Sequence, residues 1–67
     1  MKIILNNRPE SFTQDQISIS ELLALKNYTF RMLVIKVNGS LVKKDSYDTF
    51  EINDGDNVTV LHLVSGG

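Results

Sequence analysis

Residues 17–26 read Ile-Ser-Ile-Ser-Glu-Leu-Leu-Ala-Leu-Lys, and this stretch predicts the helix around which the fold is organised. Ser18 stands three residues before Glu21, the reciprocal arrangement that satisfies the unpaired amide donors at a helix N-terminus. Ile17 and Leu22 occupy the two positions that pack against each other around such a cap. The helix is therefore predicted to start at this serine.

The apolar residues of the same stretch repeat at helical spacing. Ile19, Leu22 and Leu23 fall on one side of the predicted helix, which gives it one face for burial. Lys26 suits the negative end of the helix dipole, and Asn27 tolerates the left-handed backbone that ends a helix. One short amphipathic helix is predicted.

An extended segment precedes this helix. Met1, Ile3 and Leu5 alternate with their neighbours and predict a first strand with one apolar face. The residues from Asn6 to Pro9 are predicted to form a turn that contains the single proline. Residues 10–12 then predict a short return strand, so that a hairpin opens the fold.

Further strand signals follow the helix. Residues 33–38 predict a third strand, and Asn38-Gly39 is the strongest short reverse-turn dipeptide. Leu41-Val42 resumes an extended path. A second turn is predicted at residues 53–56, followed by an apolar last strand at residues 58–64. Core anchors of the polar crossing before this turn are predicted to be Tyr47, Phe50 and Ile52.

The order of these elements predicts an α+β fold with one main helix packed on one face of a mixed sheet of four to five strands. The predicted domain spans residues 1–64, and residues 65–67 form a flexible tail. If the first and last strands lie side by side at the centre of the sheet, the Gly66-Gly67 tip extends from a rigid base.

Both faces of the last strand are apolar. Val58 and Val60 share one parity, whereas Leu61 and Leu63 share the other. Either this strand is central and covered on both faces or is bent by a bulge, or Leu61 and Leu63 belong to an exposed patch that docks a partner. The sequence leaves that choice open. For Tyr28, Phe30 and Met32, core packing is predicted because so small a domain needs every large side chain.

Composition narrows the class of protein. The chain has 67 residues, which predicts one domain with little material for a catalytic cleft. It lacks cysteine, which excludes disulfides and thiolate metal sites. A formal charge of −1 offers no basic surplus for nucleic acid. With no leader and no apolar run that spans a bilayer, the expectation is a soluble, cytoplasmic protein without a membrane partner.

Few side chains are of the types that catalyse reactions or bind metal ions. His62 is the single histidine, and no nucleophile or carboxylate motif accompanies it, so neither catalysis nor metal binding is predicted. Asp54 and Asp56 flank Gly55 in a spacing that resembles part of a calcium loop, but the other ligands are missing. Turn formation is the preferred explanation of this pair.

The C-terminal Gly66-Gly67 follows directly on the last strand. Two glycines lack Cβ atoms and can pass through a narrow channel into another protein's active site, where the carboxylate of Gly67 can be activated. The alternative is a frayed end or a cloning remnant.

The chain resembles the ubiquitin-like β-grasp fold, and within it the ThiS family of sulfur carriers in thiamine thiazole biosynthesis. The resemblance runs from end to end. Departures are Asn7, where glycine is frequent, Tyr47, where tryptophan is common, and Ser65, where a small apolar residue or glycine is usual. The stretches that carry the resemblance are Met1-Lys2-Ile3 with Asn6, Ile19 to Leu23, residues 35–39, Asp54-Gly55-Asp56 with Val58 and Val60, and Gly66-Gly67.

This resemblance implies a protein substrate rather than an enzyme. An E1-like adenylating enzyme would activate the Gly67 carboxylate with MgATP, and sulfur from a donor such as a cysteine desulfurase would displace AMP. The product is a thiocarboxylate (1-thioglycine) on Gly67, which a thiazole synthase consumes. The chain itself binds no cofactor. Ser65 and Gly66 form the threading tail, and the residues expected to dock partners are Leu61, His62, Leu63 and Val64.

Three alternatives remain at this stage. The chain could serve another sulfur pathway, such as that of molybdopterin. It could be a ubiquitin-like modifier that is conjugated to lysines through Gly67. It could also be a β-grasp interaction module whose terminal glycines are incidental.

Overall fold

The computed structural model describes residues 1–29 and 32–63, which form an α+β fold. The main sheet has the strand order β2-β1-β7-β4-β5. Within it, β1 and β7 are parallel and the other neighbours are antiparallel. The predicted mixed sheet is confirmed. The elements are β1 (Lys2–Leu5), β2 (Arg8–Ser11), β3 (Gln16–Ser18), α1 (Ile19–Leu25), β4 (Leu33–Val37), β5 (Ser40–Val42), a short 3-10 helix (Lys44–Ser46), β6 (Glu51–Asn53) and β7 (Asn57–His62).

An apolar core lies between α1 and the inner face of the main sheet. Alternate residues of each strand point into it, as the period of two predicts. Ile35 and Val37 of β4 are buried, and their cross-strand partners Val60 and Val58 on β7 are buried with them. The largest fully buried side chains are Ile3, Ile17, Ile19, Leu22, Ile35, Ile52 and Val58.

Two tight turns depend on residues that accept a left-handed backbone. Asn6 and Asn7 have φ angles of 50° and 67°, and they connect β1 to β2. Asn38 and Gly39, with φ angles of 52° and 84°, connect β4 to β5. Positive φ at both central residues is what a type I′ hairpin turn requires, and asparagine and glycine are its preferred residues.

Pro9 lies in β2 and not in the turn, so the predicted turn over residues 6–9 was too long. Pro9 is opposite Ile4, and the pair two residues along is Lys2 with Ser11. The amide of Phe12 donates to the carbonyl of Met1 at 2.8 Å, which makes these two residues a hydrogen-bonded pair. Hydrogen-bonded pairs alternate with non-hydrogen-bonded pairs along an antiparallel ladder, so Ile4 and Pro9, three pairs away, form a non-hydrogen-bonded pair. On this edge strand the missing N–H of proline faces away from β1 and costs no ladder bond.

The ends of α1 follow the predicted caps. The Ser18 amide donates to Glu21 Oε1 at 2.9 Å, and the Glu21 amide donates to Ser18 Oγ at 3.1 Å. At the other end, Asn27 has a φ of 58°, and its amide donates to the carbonyl of Ala24 at 3.1 Å. Both ends of this short helix are thus satisfied locally.

Lys26 has a role beyond the predicted helix dipole. Its Nζ donates to Glu10 Oε1 at 2.6 Å, which ties the end of α1 to the edge strand β2. This hydrogen bond raises the pKa of Lys26 above its ordinary value, against a smaller opposing effect of desolvation. Because the pKa is raised, any stability from the contact is present at neutral pH and is lost only under strongly alkaline conditions.

A second, two-stranded sheet was not predicted. β3 and β6 pair antiparallel, with Ile17 opposite Ile52 and both side chains fully buried. The sequence reading assigned Ile17 to the helix cap alone. Strands of three residues are too short to show a period, and these two lie far apart in the chain, so no local pattern indicated the pairing.

Two core assignments were wrong. Phe50 is 37% exposed and Met32 is 50% exposed, whereas Ile52 is fully buried. Tyr28 and Tyr47 are partly buried and pack against the core. Phe30, which shared the core prediction, lies outside the described residues. Among the described residues, no helix has the length and apolar character needed to cross a membrane.

Candidate docking site at the end of the last strand

The site is built on β7, the central strand of the main sheet. On one side β7 pairs with β1 through Ile4–Asn57 and Leu5–Val58, and on the other it pairs with β4 along five residues. Beyond the end of β7, the amide of Leu63 still donates to the carbonyl of Met32 at 2.9 Å. The backbone is therefore held in the sheet up to four residues before Gly67.

Residues 64–67 lie outside the described residues. The predictions that fall on them concern Val64 as a docking residue, Ser65 and Gly66 as the tail, and Gly67 as the point of adenylation and sulfur attachment. They stay predictions, as does the boundary at residue 64.

Asn6 extends the contact between β1 and β7. Its amide donates to the carbonyl of Val58 at 2.9 Å, and its side-chain Oδ1 accepts from the amide of Val60 at 2.8 Å. The regular pairing with β1 ends at Val58, so the Asn6 side chain replaces the next backbone acceptor. Asn6 is predicted to lie in a turn and carries part of the family resemblance, but no local pattern predicts this bond.

We expect Asn6→Ala to lower the free energy of unfolding by about 2 kcal/mol, because the partly buried Val60 amide loses its acceptor and alanine disfavours positive φ. Asn7→Ala is the matched control. Asn7 also has a positive φ angle, but its side chain makes no hydrogen bond with a described residue. Urea unfolding would measure both. An equal loss in the two variants would show that the Asn6–Val60 bond contributes nothing.

The structure settles which parity of β7 faces outward. Val58 and Val60 point into the core, whereas Leu61 is 49% exposed and Leu63 is 46% exposed. The sequence left open the possibility that both faces of the last strand are covered. Leu61 and Leu63 are exposed, so that possibility is wrong for these two residues. They have the exposure that a docking surface requires.

Leu61 and Leu63 belong to a larger apolar surface on the side of the sheet opposite α1. Val34 lies directly across from Leu61 on β4, and Lys36 lies opposite Leu41 on β5, which places Leu41 on the same outward parity. Met32 joins them through its backbone bond with Leu63. We call this set the outer patch, and its members are Met32, Val34, Leu41, Leu61 and Leu63.

His62 is exposed but does not share this surface. It lies opposite Leu33, whose side chain packs against the core, so its parity is that of the inner face. The structure therefore separates His62 from Leu61 and Leu63, the other described residues of the predicted docking set.

The two aspartates of the 53–56 turn bind donors of the protein itself. Asp54 Oδ1 accepts from the Lys2 amide at 2.7 Å, and Asp56 Oδ2 accepts from the Asn53 amide at 2.9 Å. Asp56 Oδ1 also accepts from Asn38 Nδ2 at 3.1 Å, which joins two turns. These bonds support the turn explanation of the pair. The described part of the chain contains no group of three or more acidic, histidine or cysteine side chains placed to hold a metal ion.

Comparison with known proteins gives one consistent family. The model of the ThiS family matches residues 3–67. The sulfur carrier protein ThiS of Bacillus subtilis is 27% identical over 63 residues, which cover 94% of this chain and 96% of that protein. That relative is a carrier, which accords with the prediction of a carrier and not an enzyme.

Solved structures agree with this fold. The crystal structure of the thiamine biosynthesis protein ThiS from Geobacter metallireducens superposes with a TM-score of 0.86, at 28% identity and with full coverage of both chains. A solution structure of a thiamine biosynthesis protein from the same organism gives 0.78, also at 28% identity, and covers all of this chain and 88% of that one. The ubiquitin-like β-grasp fold predicted from the sequence is confirmed.

Proposed function

The chain belongs to the ThiS family, and from this premise we propose that it is the sulfur carrier of thiamine biosynthesis, with sulfur carried on the Gly67 carboxylate. The observation that supports this most strongly is the extent of the family match, which reaches residue 67 and so includes both terminal glycines. The sulfur carrier of Bacillus subtilis aligns with nearly all of the chain.

The proposed chemistry needs an activated carboxylate. A carboxylate is a poor electrophile, because its leaving group would be an oxide. In the proposed first step a Gly67 oxygen attacks the α-phosphorus of MgATP on an E1-like enzyme and releases pyrophosphate. A sulfide equivalent then attacks the acyl carbon and AMP leaves, so that a C–S bond replaces a C–O bond. The product is a thiocarboxylate.

This division of labour fits what the chain offers. It has no cysteine, so no side-chain thiol can carry the sulfur. Its part is to present the terminus, and the described structure supplies a base for that task. β7 is paired on both sides, and the Asn6 side chain and the Met32 carbonyl extend this pairing toward Leu63. The protein is therefore a co-substrate, and ATP binding and catalysis belong to the adenylating enzyme.

The outer patch is proposed as the docking surface for the enzymes that load and unload the terminus. Leu61 lies on β7 and Leu63 directly follows that strand, four residues before Gly67, so a partner seated on these two leucines is close in the chain to the tail. Thiazole synthase is proposed as the acceptor of the sulfur, and a cysteine desulfurase as the donor. With that donor, its persulfide displaces AMP to form an acyl disulfide, and a thiol then reduces the S–S bond and releases the thiocarboxylate.

The intact mass of the chain tests this proposal. After incubation with the E1-like enzyme, MgATP and a sulfide source, we expect a mass increase equal to the replacement of one oxygen by sulfur. A chain lacking Gly67 should show no increase. Gly67→Ala should fold normally but load poorly, because the added methyl group would crowd a channel that admits glycine.

The opposite result has a clear meaning. If the chain stays unmodified with an enzyme that loads another carrier of the family, the proposal is wrong. Isopeptide-linked adducts of higher mass in cell extracts would then indicate a protein modifier.

A further inference from the structure

Charge is distributed unevenly between the two sides of the molecule. The strand register assigns ten positions to the outer face of the main sheet, and their only charged side chains are lysines. No aspartate or glutamate of these strands points to this face. The ten outward positions are Lys2, Ile4, Pro9, Ser11, Val34, Lys36, Leu41, Asn57, Thr59 and Leu61.

The acidic residues are concentrated in the elements on the other side. They occur in α1, in the β3–β6 pair, in the 3-10 helix and in their connections: Asp15, Glu21, Asp45, Asp48 and Glu51. Asp54 and Asp56 lie in the turn that precedes β7, at the end of the sheet away from Leu63. That side is not free of cations, since Lys26 caps α1, Lys44 lies in the 3-10 helix and Arg8 lies opposite the buried Leu5. Carboxylates outnumber cations there, whereas the charged side chains at the ten outward positions are lysines alone.

Lys36 is a cation that borders the outer patch. In the register it lies between Thr59 of β7 and Leu41 of β5, and two positions along β4 from the half-buried Val34, whose outward parity it shares. Its side chain is exposed and forms no ion pair with a described residue. Lys2 lies on β1, which β7 separates from β4. Lys36 is thus available to a carboxylate from outside.

We propose that the adenylating enzyme binds this face with an apolar surface that covers the outer patch and with a carboxylate at its rim that pairs with Lys36. This inference rests on the proposed sulfur-carrier function. The lysine-bearing face turns toward an acidic surface and the side with the excess of carboxylates turns away, so this difference in charge orients the carrier during the encounter.

Charge also distinguishes an acidic protein partner from other molecules that could cover the outer patch. Two lysines around an apolar centre are too few for a phosphate backbone, whose binding depends on neutralising several phosphates. A second copy of the chain would bring the same lysine-bearing face against itself, without a carboxylate on either side, and like charges oppose such a contact. An apolar protein surface with an acidic rim is the complementary choice.

Binding of charge variants tests the inference. We expect Lys36→Glu to raise the Kd for the adenylating enzyme about fivefold at low salt, and Lys36→Gln to have a smaller effect in the same direction. The Lys36→Glu effect should fall below about twofold at 0.5 M salt, where screening is strong. Arg8→Glu is the matched control, because it changes the net charge equally but lies opposite the buried Leu5 on the edge strand β2 and not on the outer face.

The outcomes separate the two proposals. If wild-type chain is loaded with sulfur but Lys36→Glu and Arg8→Glu bind alike at every salt concentration, the acidic rim is refuted and the carrier function stands. If the wild-type chain neither binds the enzyme nor is loaded, both fail. Thermal unfolding of each variant would show that the fold is intact.

Discussion

Leu22→Ala should lower the free energy of unfolding by about 3 kcal/mol, the largest stability effect that we expect from a single truncation in α1. Leu22 is fully buried in the core between the helix and the sheet. Truncation removes apolar contacts and leaves a cavity that the surrounding side chains fill only in part. A domain of this size has a total stability near the low end of about 5–15 kcal/mol, so the variant should be close to unfolding.

Leu25→Ala is the control for this substitution. It makes the same change in the same helix, with the same difference in helix propensity, but Leu25 is 51% exposed. We expect a loss below about 0.5 kcal/mol. Urea unfolding followed by far-ultraviolet circular dichroism measures both variants. Similar losses would mean that α1 does not bury the face that contains Leu22.

Leu61→Ala should weaken binding to the adenylating enzyme about tenfold while leaving stability nearly unchanged. Leu61 lies at the centre of the outer patch and is 49% exposed in the free protein. Its truncation leaves no deep cavity in the core. In the proposed complex, the side chain is covered by the partner, so the loss appears in binding.

The Leu25→Ala variant serves again as the control, because Leu25 is an exposed leucine on the helix side of the molecule. It should bind the adenylating enzyme as the wild-type chain does. Calorimetric titration gives both dissociation constants, and the rate of sulfur loading gives an independent comparison. Unchanged binding of Leu61→Ala would rule out the outer patch as the docking surface, even if Gly67 is loaded normally.

The turns and helix ends show what local sequence predicts well. The Ser18–Glu21 cap and the left-handed Asn27 depend on contacts within a few residues, so their signals lie in adjacent positions of the chain. Asn38-Gly39 forms the predicted turn for the same reason, since both residues accept positive φ. The alternation of buried residues in β1 and β4 likewise follows from neighbours in sequence.

Elements that depend on distant partners were predicted less well. Pro9 fits in a strand only because β2 is an edge strand, which the residues around it do not reveal. The β3–β6 pair joins a segment that precedes α1 in the chain to one that follows it, and the Asn6–Val60 bond spans 54 positions. The exposure of Met32 and Phe50 is also a property of what packs around them.

The sequence by itself therefore determined the α+β class, the helix with its caps, the turns and the family, because these depend on short spacings and on motifs that can be compared directly. Only the tertiary structure decided that Leu61 and Leu63 face outward, that His62 lies on the other side of the strand and that Lys36 borders the outer patch. The orientation of β7 is decided by its register with β1 and β4, and that register is a contact between segments far apart in the chain.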